Sequence, residues 1–428
     1  MVSFRAVPAG AALLLCSALP TAAAQQFGPS ATVAPSAVAP ADVQSAIRRI
    51  WEASPQVQAA RADLDAARAR ARAAAQPPYN PELALDAENA DVDRRTAGVA
   101  LALDLSGKRR ARMAQGEAEL RASEAGFVLA RRAIAARWLK AWASAQVAGR
   151  QRELGQRRLV LMQRFDRLAA ERLKVGDISA PERDLAGLAL GEAQMQQASL
   201  RGAEASAQAT LHAIGGAGQA PLPGLPGDLP PAALPLQPRA IEAMPELVQA
   251  QARLASRDAG VQVARRARIP DPTVSLTGGQ VRSGPRTDRV IGVQLAIPLP
   301  VLNTGRAEVD AARAEADAAA AGVRAERQQA QAALQEAQAR YAAVREAAQA
   351  FRAGRAGAFE ERTKLLEKLW RAGEIGTSDY LVQLKQSLDT ALTGLELESQ
   401  AWQAWFDYLT AAGRLTDWVD GRSQEDAP

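Results

Sequence analysis

For nucleophilic or metal chemistry the sequence offers one histidine, His212, and one cysteine, Cys16. A transition-metal site needs several convergent ligands. His212 stands near a helix end beside Gly215-Gly216, so it reads as a packing or helix-end residue. Cys16 falls inside an N-terminal targeting pattern and leaves with it on cleavage. Carboxylate pairs such as Asp63/Asp65 and Glu360/Glu361 sit on helical stretches and read as solvated charge. There is no nucleophile–base pair, phosphate-cradling glycine loop or metal-ligand cluster. Neither catalysis nor a resident cofactor or metal is therefore expected.

The composition narrows the class. The net charge is +5, but basic and acidic residues are interspersed and suit solvated helix faces, so no nucleic-acid partner is expected. Hydrophobic residues make up 48% of the chain and aromatics only 4%, so Ala and Leu carry the apolar content, as long packed helices allow. Arg5, the apolar "AALLLCSAL" and the small-residue "TAAAQQ" form a signal peptide over residues 1–24, with cleavage after Ala24. Leu15 precedes Cys16 where lipid attachment wants a small residue, which favours simple cleavage over lipidation. Residues 25–41 are a Pro/Ala-rich tether. No later stretch reaches the ~18–20 apolar residues of a spanning helix. Export then leaves a soluble periplasmic protein or an outer-membrane β-barrel.

Helical periodicity starts near Asp42 and restarts at Ser54-Pro55, a cap followed by Pro at the first helical position. "QPPYNPE" ends it. A β-hairpin is predicted over about 82–105, where Leu83, Leu85, Val99, Leu101 and Leu103 recur with period two. Lys108 to about Lys174 has no proline; a continuous helix there would be on the order of 100 Å long. A tip turn follows at about 175–180, then a return helix to about Ile214. Residues 219–238 form a Pro/Gly linker.

Beyond it the landmarks recur in the same order. Asp271-Pro272 answers Asn80-Pro81, and a second hairpin at about 273–298 answers the first. "NTGR" answers "SGKR", and "RAGEIGTSDY" answers "KVGDISAPER". A second proline-free stretch runs from Gly305 to Arg371, with a tip turn at about 372–378. The chain is thus a duplicated unit, residues 42–218 and 239–418, with a C-terminal tail at 419–428.

A lone hairpin is marginal in water. In the second one Val274, Leu276, Ile291, Val293, Leu295 and Ile297 make one face apolar, while Thr273, Ser275, Thr277, Gly292 and Gln294 make the other small and polar. That is the lipid-out, lumen-in alternation of a membrane barrel. Lipid forbids open sheet edges, so closure needs further copies; a trimer would supply twelve strands. Near-heptad seams, Leu161, Phe165, Leu168 and Val175 before the first tip and Phe359, Leu366 and Leu369 before the second, are expected to pack the helices, as are Leu381, Leu384, Leu388, Ala391 and Leu395.

These residues resemble the TolC-like outer membrane factors, the channel-tunnels of tripartite efflux pumps, over about Asp42 to Trp418. "RIPDPTVSL", "IPLP", "PYNPEL" and "SGKR" look most like the cobalt–zinc–cadmium, divalent-cation branch. The resemblance implies a mainly α fold with a small β part. It implies a homotrimer joining a twelve-stranded outer-membrane barrel to a twelve-helix periplasmic α-barrel. It implies a periplasmic adaptor (membrane fusion) protein, an inner-membrane resistance–nodulation–division pump and outer-membrane lipid as partners. The chain itself would be a passive exit duct.

Under that resemblance Pro81, Pro270, Pro272 and Pro298 mark where the chain enters and leaves the membrane. Gly176 and Gly373 are the adaptor-docking tip glycines. Asp379, six residues beyond the second of them, is the candidate periplasmic gate, with Glu374 and Asp177 beside it; a trimer turns each into a ring that attracts cations. The hairpins contain no Trp, Tyr or Phe, so the usual aromatic girdle is thin. The alternatives are a drug-efflux or type I secretion duct, and a periplasmic coiled-coil adaptor or scaffold. An adaptor would carry one helical hairpin between β domains rather than two whole repeats.

Overall fold

The computed structural model describes residues 39–215, 223–233, 241–354 and 359–421. The signal peptide, nearly all of the tether, both ends of the linker, residues 355–358 and most of the tail lie outside the described residues.

The first half comprises α1 (Ala41–Ala53), α2 (Pro55–Ala74), β1 (Glu82–Glu88), β2 (Val92–Ala102), α3 (Lys108–Lys174) and α4 (Ala180–Gly215). The second comprises α5 (Pro245–Ala267), β3 (Thr273–Ser283), β4 (Arg286–Ala296), α6 (Arg306–Ala353), α7 (Phe359–Arg371), α8 (Thr377–Ala411) and the short α9 (Leu415–Asp420). At 67 residues, α3 runs unbroken for about 100 Å. The second proline-free stretch does not: α6 stops at Ala353, Gly354 lies in a turn, and α7 resumes at Phe359. Gly354, the residue that caps α6, favours the stop, since glycine disfavours helix by about 1 kcal/mol relative to alanine.

The helices form one layer that changes membership along α3. Toward the sheet the neighbours run α2, α3, α5, α6; beyond it they run α4, α3, α8 and then α6 or α7. Alanine and glycine permit close approach, as where Gly116 lies against Ala71. The aromatic residues, few as they are, are concentrated rather than spread. Trp51, Trp138, Trp142, Trp402, Trp405 and Trp418 share one buried cluster with Tyr341, Phe406 and Tyr408. Each such side chain contributes about 1.5–3 kcal/mol by burial, so this waist stabilises an otherwise thin helical layer.

The hairpins were legible separately; their union was not. β2 pairs antiparallel with β3, giving one four-stranded sheet in the order β1-β2-β3-β4. Register aligns Leu83 with Val99, Leu276 and Val293 across all four strands, and Leu101 with Val274 and Leu295. These side chains are exposed, Val293 to 74%, as is Ile291 to 82%, so none of the described residues covers the apolar face. Among the described residues, β1 and β4 have no partner on their outer edges. β2 ends at Ala102 rather than 105, because Asp104 turns back to begin α3.

Candidate functional site

Two ends of the molecule hold the sequence-predicted residues. At the sheet end, Pro81, Pro270, Pro272 and Pro298 all flank strands, outside the hydrogen-bonded ladders, where a missing N–H costs nothing. Between them a polar latch joins the two halves. Asp271 is buried, accepts a hydrogen bond from the Tyr79 hydroxyl, and lies 2.8 Å from Lys108 Nζ. The bond to Asp271 and burial push the Tyr79 phenol above its ordinary pKa. Asp104 accepts from the backbone N–H groups of Lys108 and Arg109, each at 2.8 Å, capping α3. Burial alone would raise its pKa. The backbone donors and the Lys108 charge outweigh that and hold the carboxyl below its usual range.

Both long helices of this end start from a left-handed glycine, Gly107 at φ 72° and Gly305 at φ 64°. An arginine braces each: Arg266 donates to the Ser106 carbonyl, and Arg268 Nε to the Thr304 carbonyl at 2.9 Å.

At the opposite end the two tips share one backbone solution. Gly176 (φ 81°) and Gly373 (φ 77°) are left-handed. The Gly176 N–H donates to the Leu173 carbonyl and the Asp177 N–H to that of Arg172; Gly373 and Glu374 donate likewise to Trp370 and Leu369. Each is a complete Schellman cap. Asp177 and Glu374 are therefore equivalent positions, and both are exposed. A Cβ added at either glycine would meet no atom within 4 Å, so both face open space. Asp379 is exposed in the first turn of α8. The structure thus gathers Gly176, Gly373, Asp177, Glu374 and Asp379 at one end of the helical layer.

The tips differ one turn later. Ser179 begins α4 with a capping box: its N–H and hydroxyl both donate to Glu182 Oε2 at 2.8 Å. These bonds, reinforced by Thr377, hold the Glu182 carboxyl below its usual pKa. The second tip has Gly376 where the first has Ser179, so Asp379, the counterpart of Glu182, has no hydroxyl to engage. It makes no hydrogen bond or ion pair with the described residues.

Sequence reasoning missed what clamps the tips together. Arg172 Nη2 donates to the Arg371 carbonyl at 2.9 Å, and its guanidinium lies 4.6 Å from the Trp370 ring centre. Trp370 donates to the Thr377 hydroxyl at 3.2 Å. Phe165, Trp370 and Tyr380 stack within 4.5 to 5.6 Å of one another. Phe165 and Leu366 are buried as the seams require. Val175 is not; it is 72% exposed, because α3 ends at Lys174 and Val175 already belongs to the turn. No local signal marks Arg172, since its partners lie in the other half of the chain.

Comparison with known proteins follows the same two-part division. The sequence matches the outer membrane efflux protein family over residues 46–217 and 236–414.

The chain belongs to the outer membrane efflux protein family. Like a membrane protein from Pseudomonas aeruginosa, this efflux protein is mostly helical with a small antiparallel sheet; the two share 22% identity over 88% of this chain and 91% of that one, with a TM-score of 0.73. It is similar to CusC, described as undergoing conformational changes on folding and transmembrane channel formation, at 16% identity, 88% and 92% coverage and a TM-score of 0.74. It is also similar to the outer membrane protein VceC from Vibrio cholerae, at 18% identity, 87% and 96% coverage and a TM-score of 0.70. No curated protein matches the sequence. Among the described residues, no helix of this efflux protein is long and apolar enough to cross a membrane, and no group of three or more His, Cys, Asp or Glu could hold a metal.

Proposed function

We propose that this efflux protein is the outer-membrane exit duct of a tripartite pump and passes divalent heavy-metal cations outward without chemistry of its own. One observation carries the reading: a four-stranded sheet with an exposed apolar band across one face and, among the described residues, no partner at either edge. In water such a sheet would aggregate; in lipid its edges must close. Three copies joined β4 to β1 make a closed barrel of twelve strands, and the helical layers close beneath it in the same operation.

The opposite face supports a cationic cargo. Glu82, Asp86, Glu88 and Asp288 point to it, against Arg94 and Arg286. The tips, with Gly176 and Gly373 open to solvent, suit backbone approach by an adaptor, behind which a resistance–nodulation–division pump supplies the energy. Asp379, Glu374 and Asp177 ring the periplasmic aperture. The prolines Pro81, Pro270, Pro272 and Pro298 mark the membrane border.

Growth of a deletion strain across zinc, cobalt, cadmium and nickel, beside a panel of organic antibiotics, tests the cargo. Selective metal sensitivity restored by the intact gene supports it. Sensitivity to organic compounds alone keeps the duct and overturns the metal.

A further inference from the structure

The apolar face of the sheet ends in a row of guanidinium groups. Along β2 one face carries Leu101, Val99, Ala97 and then Arg95; along β4 it carries Leu295, Val293, Ile291 and then Arg289. Arg95 and Arg289 both pair with Gln280 on β3 between them, so they stand two strands apart, about 10 Å. Arg282 follows two residues along β3 on the same face, about 7 Å further out, with Asp93 of β2 as its cross-strand neighbour. All three arginines are exposed, and none makes a side-chain hydrogen bond or ion pair with the described residues.

The row lies toward the Gly284-Pro285 hairpin turn, at the end of the sheet remote from the helices. With the sheet in a membrane as proposed above, that is the external border of the apolar band. A lipid-facing Arg is destabilising at the bilayer midplane and tolerated near the interface, so the row must sit at headgroup depth. Three guanidiniums against the single carboxylate of Asp93 leave a net positive surface at that depth, without interfacial aromatics, and it is complementary to clustered phosphate.

We infer that Arg95, Arg289 and Arg282, with Gln280 between them, form a docking surface for the phosphates of anionic outer-leaflet lipid. Charges spread over about 7–10 Å can engage more than one phosphate at a time, which favours a headgroup bearing two. The barrel presents the surface once per protomer. This rests on the barrel reading, and it adds to the surrounding lipid a phosphate-headgroup preference that the duct function does not require.

The test uses the full-length assembled protein in neutral detergent. Bisphosphorylated lipid A and its enzymatically dephosphorylated form are titrated against the wild type and the triple variant R95Q/R282Q/R289Q. Binding is read by native mass spectrometry, and ion conductance of both proteins is recorded in neutral phosphatidylcholine bilayers. The wild type is expected to retain the phosphorylated lipid. The variant is expected to bind it on the order of a hundredfold more weakly, and both proteins should conduct alike. Equal binding by wild type and variant, or equal binding of both lipid forms, overturns the inference and leaves the duct intact. Absence of conductance from both proteins overturns the barrel, and the inference with it.

Discussion

Lys108 Nζ and the Asp271 carboxylate lie 2.8 Å apart, although one opens the long helix of the first half and the other precedes the first strand of the second. The Asp271 side chain is only 4% exposed and that of Lys108 18%. The pair pins the start of α3 to the point where the second half turns into its strands, beside the β2–β3 ladder that fuses the two hairpins. Removing one partner leaves a buried charge alone. Asp271→Ala is therefore expected to cost about 3 kcal/mol, where removal of both partners costs less than the sum of the single changes. Thermal unfolding of the two single variants and the double variant in detergent measures this; strict additivity would deny the coupling.

The β2–β3 ladder has its own weak point. A Cβ at Gly279 would come within 2.7 Å of Thr96 Cα on the neighbouring strand. Gly279→Val is expected to separate β2 from β3 and abolish assembled protein in the outer membrane fraction. Gly284→Ala is the control: it has open space around it and is expected to cost only about 1 kcal/mol of left-handed strain. Equal yields from both variants would refute a packing role for Gly279.

The open space around Gly176 and Gly373 separates stability from docking. Asparagine tolerates the left-handed region, so Gly176→Asn and Gly373→Asn are expected to fold with less than about 1 kcal/mol of loss. Their side chains would nevertheless obstruct a partner backbone. In vivo crosslinking to the adaptor should fall severalfold at unchanged protein level. Unchanged crosslinking and unchanged efflux would reject docking at these turns.

Asp379 and Glu182 occupy matching positions but differ in engagement. Glu182 is held by Ser179 and Thr377, whereas Asp379 is free to meet an ion. Asp379→Arg is expected to change single-channel conductance and weaken block by divalent cations. Glu182→Gln should leave block unchanged while loosening the start of α4. Conductance and block traces that do not change with Asp379→Arg would remove it as a gate.

Asp104 sets an acid limit. Its folded pKa lies below the unfolded value of about 3.9, so its stabilisation is complete above that value and is lost as pH falls through the folded pKa. Asp104→Asn keeps an acceptor oxygen but loses the charge. It is expected to cost about 1 kcal/mol near neutral pH and to flatten the decline in stability below about pH 4. Unfolding midpoints measured from pH 3 to 7 check both parts.

Much of this architecture is written locally. Period-two alternation places Leu83, Val99, Leu276 and Val293 on one strand face, and proline and glycine punctuate each element. The repeated order of landmarks gives the duplication, because side-chain periodicity and backbone preference act over a few residues. Local patterns did not reveal the interruption at Gly354, where glycines weaken a stretch that otherwise looks helical. Nor did they place Val175, whose spacing continues a seam that the helix has already left.

The tertiary structure alone decided the contacts between the halves. Lys108 meets Asp271 across 163 residues, Arg172 meets the Trp370 carbonyl across 198, and the arginine row exists only because β2 pairs with β3 in one register. A one-residue slip in that register would turn Arg95 to the other face relative to Arg282 and Arg289. The sequence determined which faces are apolar and where the chain turns. Folding decided which turns share an end and which charges share a surface, since contacts between distant segments leave no periodic trace in either segment.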